Sequence, residues 1–120
     1  MIRTFKDLLV WQKSYEVCLK IYRVSKDFPR IEQYGITPQM RRAALSVPSN
    51  IAEGCGRKGT KEFIQALYIA YGSNCELETQ IMIARDLNFI DSRKAAELIA
   101  DIASVERMLK ALIKSLEAKV

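Results

Sequence analysis

Histidine is absent from the 120-residue chain, which removes the commonest general base and metal ligand of proteins. Glycine and proline are scarce, at five and three residues, so turn formers are too few for many short strands and long helices are favoured. Long apolar runs are missing as well. The best candidate, residues 63–75, carries Gln65, Ser73 and Asn74 and falls short of the roughly 18 residues needed to cross a bilayer. The opening Met1-Ile2-Arg3-Thr4-Phe5-Lys6-Asp7 has no apolar core of the signal-peptide kind. The three cysteines, Cys18, Cys55 and Cys75, form no C-x-x-C pair, so neither a zinc site nor a redox motif is signalled. An odd set of thiols suits a reducing compartment, and a cytoplasmic protein is expected.

What is present is apolar surface and positive charge. Apolar residues make up 49% of the chain, which excludes a disordered tail. The length suits one domain over residues 1–120. Nineteen Lys+Arg against fourteen Asp+Glu give +5.

Breaks at Pro29, Gly35 and Pro38, at Gly54, Gly56 and Gly59, and at 88–91 divide the chain into four segments of helical periodicity. The first, about 4–27, opens on a capping-box-like Thr4…Asp7. It carries two apolar stripes: Leu8, Trp11, Tyr15, Cys18 and Tyr22, and Val10, Val17, Ile21, Val24 and Phe28. One stripe is enough for a bundle interior, so the second is either a wide buried face or a face against another subunit. The second segment is predicted to start with Thr37 as N-cap and Pro38 at the first helical position, and to stop near Glu53 before Gly54. Its core stripe is Ile36, Met40, Ala44, Val47, Ile51 and Cys55. Pro48 removes one hydrogen bond, to Ala44; a kink is expected rather than a break into two short helices, because the periodicity carries straight through. Thr60 is predicted to cap the third segment, which runs to about Leu87 on Phe63, Leu67, Ala70, Leu77, Ile81 and Ala84. Asp91 is predicted to cap the fourth, whose stripe is Ala95, Leu98, Ile102, Val105, Leu109, Leu112 and Leu116. Segments one, three and four would be on the order of 35–40 Å long. The fold class is therefore all-α, an antiparallel up-and-down four-helix bundle with its second helix kinked at Pro48. Surplus apolar stripes on so narrow a bundle point to a homo-oligomer.

The charge is unevenly spread. Residues 1–30 carry seven basic and three acidic groups, and residues 41–61 carry Arg41, Arg42, Arg57, Lys58 and Lys61 against Glu53, so each region is +4. Residues 62–92 carry Arg85 against five carboxylates, net −4. On the second segment Arg42, Ser46, Ser49, Asn50, Glu53 and Arg57 recur at helical spacing. Such a stripe is either a solvated face, with Glu53 pairing Arg57 or Arg42, or a row of donors for phosphates. The phosphate reading makes Arg41, Arg42, Arg57, Lys58 and Lys61 the nucleic-acid-binding candidates, with Ser46, Asn50 and Glu53 as a structural or subunit-contact stripe.

Catalytic readings find little support. The glycine-rich segment 54–60 has neither the spacing nor the Lys-Ser/Thr ending of a nucleotide loop. Glu53, Glu76 and Glu78 read as structural ion pairs, since a bundle metal site of the di-iron type needs histidines. Cys55 lacks a histidine base. Tyr15, Tyr68 and Tyr71 lie on apolar stripes and read as core aromatics. No enzyme activity, metal or cofactor is expected.

Two stretches carry a family resemblance. They are Phe5-x-x-Leu8-x-Val10-Trp11-Gln12-Lys13, and the run from Arg41-Arg42 through Ser46-Val47-Pro48-Ser49-Asn50-Ile51-Ala52-Glu53-Gly54 to Arg57. The chain resembles, over nearly its whole length, the bacterial four-helix-bundle proteins encoded in intervening sequences of 23S ribosomal RNA genes, often labelled ribosomal-protein-like. A relative in that family is similar to the accessory subunit of diversity-generating retroelement reverse transcriptases, which binds both enzyme and nucleic acid. The resemblance implies a ring-like homopentamer, an association with RNA and no catalytic residues. The alternative function is a scaffold that docks a partner enzyme such as a reverse transcriptase, with Ser46, Asn50 and Glu53 between subunits.

Overall fold

The computed structural model describes residues 4–120, so the first three residues of the N-terminal stretch lie outside the described residues. Four α-helices form: α1 (Leu9–Ser25), α2 (Ile36–Cys55), α3 (Thr60–Asp86) and α4 (Ser92–Glu117). Short 3-10 turns at Phe5–Asp7 and Arg30–Tyr34 precede α1 and α2, and no strand occurs among the described residues. Each helix packs against its two neighbours: α1 against α2 and α4, α3 against α2 and α4, with the diagonal pairs apart. The result is an antiparallel up-and-down four-helix bundle, 46 × 24 × 20 Å.

The core follows the predicted stripes closely on α2 and α3. Met40, Ala44, Val47 and Ile51 of α2 interlock with Leu67, Ala70, Leu77, Ile81 and Ala84 of α3, all buried. On α4 the buried row is Ala95, Leu98, Ile102, Val105 and Leu109, then Ile113. Leu112 and Leu116, expected in the seam, are only half-buried. An unsupercoiled helix drifts against a strict 3.5-residue repeat, and by the last turn the inward position has moved on by one residue. On α1 Val10, Val17 and Ile21 are buried and Val24 is half-buried, with Phe28 buried just beyond the helix, whereas Tyr15 and Tyr22 of the other stripe stand 47% and 37% exposed.

The helix ends differ from expectation in instructive ways. Thr4 and Asp7 do form a capping box, but around the 3-10 turn; α1 itself begins at Leu9 and ends at Ser25. It is therefore about 26 Å long, shorter than expected. Helix α2 starts at Ile36, ahead of the predicted Thr37 cap. Its orphan Ile36 N–H donates to Glu32 Oε1 at 3.2 Å, so a carboxylate from the preceding turn caps the positive end of the helix dipole. Pro38 then sits in the first turn, where a missing N–H costs little. Helix α2 continues unbroken through Pro48 to Cys55. Gly54 is thus inside the helix and not its stop; Gly56 is the C-cap. Thr60 is the first residue of α3, with Gly59 in the cap position. Asn88 closes α3 in the left-handed region at φ 65°, with Asn88 N–H donating to Arg85 O and Phe89 N–H to Ala84 O, the paired bonds of a Schellman end. Asp91 caps α4 as predicted, its carboxylate accepting from Lys94 N–H at 2.8 Å.

Candidate functional site

The candidate residues lie along α2 and the turn that follows, and helix geometry sorts them into three situations. Arg41 faces α1. Its Nε donates to Ser25 Oγ at 2.8 Å and an Nη to the Tyr22 carbonyl at 3.3 Å, and the guanidinium lies 5.0 Å from the Tyr22 ring centre. Both bonds land on the last turns of α1, at a hydroxyl and at a carbonyl that Ser25 Oγ also reaches, so Arg41 clasps two helices. Arg42, one residue on, points to solvent and makes no ion pair among the described residues.

Ser46 and Asn50 face α3. Ser46 Oγ lies 2.8 Å from Ser73 Oγ, and Asn50 Nδ2 donates to Ser46 O and Oγ at 2.8 and 2.9 Å. The Ser46–Ser73 bond ties α2 to α3 within one chain, and the Asn50 bonds, one turn along α2, brace Ser46 for it. Below them Gly54 lets the two helices touch: a Cβ there would lie 2.6 Å from Ala66 Cβ and 3.0 Å from Phe63 Cδ1.

The third situation is the α2–α3 turn. Glu53 and Arg57 pair loosely at 3.7 Å, both well exposed, an arrangement worth well under about 1 kcal/mol. Lys58 and Lys61 are exposed and form no ion pair among the described residues. Arg57, Lys58 and Lys61 therefore make one cationic cluster at the end of the bundle. Arg42 lies fifteen residues back along α2, roughly 22 Å away. The five predicted cations thus divide into one clasp, one lone arginine and a cluster of three.

Several interactions escaped the sequence reading. Ser14 and Ser25 are buried on the apolar face of α1 and turn their hydroxyls back to the Trp11 and Tyr22 carbonyls; two serines three turns apart on an apolar stripe are the signal that could have exposed them. Asn74 occupies the α3 core between Ala70 and Leu77 and donates to the Ile102 carbonyl at 3.1 Å. Gln80 is buried with its Oε1 unpartnered while its Nε2 donates to Glu76. Tyr15 and Tyr68, expected in the core, are 47% and 52% exposed. Tyr71 is half-buried and donates to Glu106 Oε2. These hydroxyls pull their rings outward, toward water or carboxylates. Burial pushes the Cys18 and Cys75 thiols up, away from thiolate character. No group of three or more Cys, Asp or Glu side chains is placed to hold a metal among the described residues, and no described helix is long and apolar enough to cross a membrane.

The bundle is similar to the crystal structure of a protein of unknown function from the S23 ribosomal protein family of Bacteroides thetaiotaomicron. The TM-score is 0.80 at 22% identity, over 88% of this chain and 99% of that one. None of the curated proteins matches the chain. Residues 6–111 match the family model described as 23S rRNA-intervening sequence protein, a span that takes in α1, α2, α3 and most of α4, the Arg41 clasp and the cationic turn. The chain belongs to the 23S rRNA-intervening sequence protein family.

Proposed function

We propose that this chain is a non-catalytic, oligomeric accessory protein of the cytoplasm that binds the phosphate backbone of RNA. The observation that carries the reading is the α2–α3 turn: Arg57, Lys58 and Lys61 stand exposed together, and the two lysines have no carboxylate partner. Unpaired cations grouped at one end of a rigid rod are a sequence-independent phosphate site. Arg42 would add a further backbone contact about six nucleotides along a strand, at 3.4 Å per step. The family description, which links its members to 23S rRNA, supports a polyanionic partner. Three free thiols suit a reducing compartment. Resemblance within the family favours a homopentamer.

Binding to single-stranded RNA measured by fluorescence anisotropy should fall steeply between roughly 50 and 200 mM salt. Lys58→Glu with Lys61→Glu should weaken it at least tenfold for all sequences alike, with helicity unchanged. Absence of binding at low salt would sink the reading.

A second reading, a scaffold that docks a partner enzyme without touching nucleic acid, draws on the exposed apolar side chains of α1 and α3. It predicts that the lysine reversals leave every interaction of the protein intact.

A further inference from the structure

Two apolar faces of the bundle are left uncovered. On α1, Tyr15, Leu19 and Tyr22 follow one another at spacings of four and three and stand 37–47% exposed, and Leu45 of α2 flanks Tyr22 at 51% exposed. On α3, Tyr68, Ile69, Met82 and Ile83 are 42–52% exposed. Helix α3 thus carries apolar side chains on its solvent side as well as on its core side, more than the one apolar stripe a bundle interior needs. Helices α1 and α3 are the diagonal pair of the bundle and do not touch, so their outer faces look in opposite directions.

The charge around the two faces is complementary. Arg42, beside Tyr22 and Leu45 on the α1–α2 face, is exposed and has no carboxylate partner among the described residues. Glu76 and Glu78, between the apolar residues of the α3 face, form no ion pair among the described residues. A face does not match itself here: two α1–α2 faces would oppose cation to cation, and two α3 faces carboxylate to carboxylate, which a two-fold contact would require.

We infer that the outer face of α3 in one copy docks on the α1–α2 face of the next, a head-to-tail contact centred on Ile69 and Ile83 against Tyr22 and Leu45. The inference rests on the oligomeric part of the proposed function and adds the surfaces that build the assembly. A contact between opposite faces propagates and closes into a ring when the rotation per copy allows. The occupant of each face is a second copy of this chain, because each face finds its missing charge on the other.

Sedimentation equilibrium on purified full-length protein tests this. Wild type should run as a multiple of the 13.7 kDa chain. Tyr22→Asp with Leu45→Asp removes one face; Ile69→Asp with Ile83→Asp removes the other. Each double variant alone should be a monomer. Mixed one to one, they retain a single complementary pair of faces and should form a dimer of twice the chain mass and nothing larger. If either double variant still assembles alone, or the mixture stays monomeric, the head-to-tail assignment is wrong while oligomerisation itself stands. A monomeric wild type overturns both. Far-UV circular dichroism checks that each variant is folded, and the milder Gln substitutions at the same four positions replace any that is not, with the same outcomes expected.

Discussion

Asp101 stands on α4 between two lysines of α1, with Lys13 Nζ at 3.0 Å and Lys20 Nζ at 2.8 Å. Burial alone would raise its carboxyl; the hydrogen bonds and charges of Lys20 and Lys13 outweigh that and hold it below the ordinary value of 3.8. The same hydrogen bond holds Lys20 above its usual range. A carboxyl lowered in the folded state stabilises fully above its unfolded value, and the contribution is lost as pH falls through the folded one. Asp101→Asn should therefore cost on the order of 1 kcal/mol near neutral pH, since it also leaves two lysines facing each other without a counter-charge. Below pH ~3.8 that difference should shrink as the wild-type carboxyl takes up its proton. Urea unfolding at pH 7, 5 and 3 measures it: a variant whose deficit is the same at all three would show that the pair does not tie α1 to α4. At the next interface Arg41 does the tying, its bonds to Ser25 and Tyr22 making it a clasp between α1 and α2.

Two glycines show how an element's context sets the sign of one substitution. Alanine at a helix interior position is worth up to about 1 kcal/mol over glycine. At Gly54 the added Cβ would lie 2.6 Å from Ala66 Cβ, so Gly54→Ala should instead destabilise by about 1–3 kcal/mol, as overpacking of a close helix pair does. At Gly72, inside α3 with nothing within 4 Å of a new Cβ, the propensity gain of up to about 1 kcal/mol should appear. Denaturant midpoints of opposite shift are expected, and a stabilised Gly54→Ala would mean that α2 and α3 are not in contact there. The role of Gly54 was illegible from the sequence because a glycine near a helix end reads as a stop; only the partner helix reveals the close approach. The same holds elsewhere. Asp91 and the α4 stripe as far as Leu109 were legible because cap and periodicity are local. The start of α2 was not, because its cap comes from Glu32 in a turn that the pattern does not mark. Ser46 and Asn50 could be seen to share a stripe, but that stripe's partner, Ser73, is 27 residues away from Ser46 on another helix.

On the scale of the whole molecule, the question is whether one copy is enough for RNA. Arg57, Lys58 and Lys61 of a single chain cover about three phosphates, and for single strands the logarithm of affinity falls against the logarithm of salt with a slope near −0.7 per phosphate, so about −2 for a monomer. A ring built by head-to-tail contacts has cyclic symmetry, which sets equivalent points of all copies at one height around its axis. The cationic turns of neighbouring copies then line one rim, and a strand that engages two of them should give a slope near −4. The second engagement is intramolecular, so apparent affinity rises by more than the extra contacts alone provide. The monomeric Ile69→Asp, Ile83→Asp variant keeps every lysine and arginine of the turn. It should therefore still bind RNA, with the shallower slope and an affinity at least tenfold lower at about 100 mM salt. Anisotropy titrations over a range of salt concentrations, on wild type and variant, compare the two slopes. Equal slopes would show that one turn is the complete site and that assembly serves some end other than RNA; a steeper wild-type slope would assign the rim of the ring, rather than the single bundle, as the binding unit.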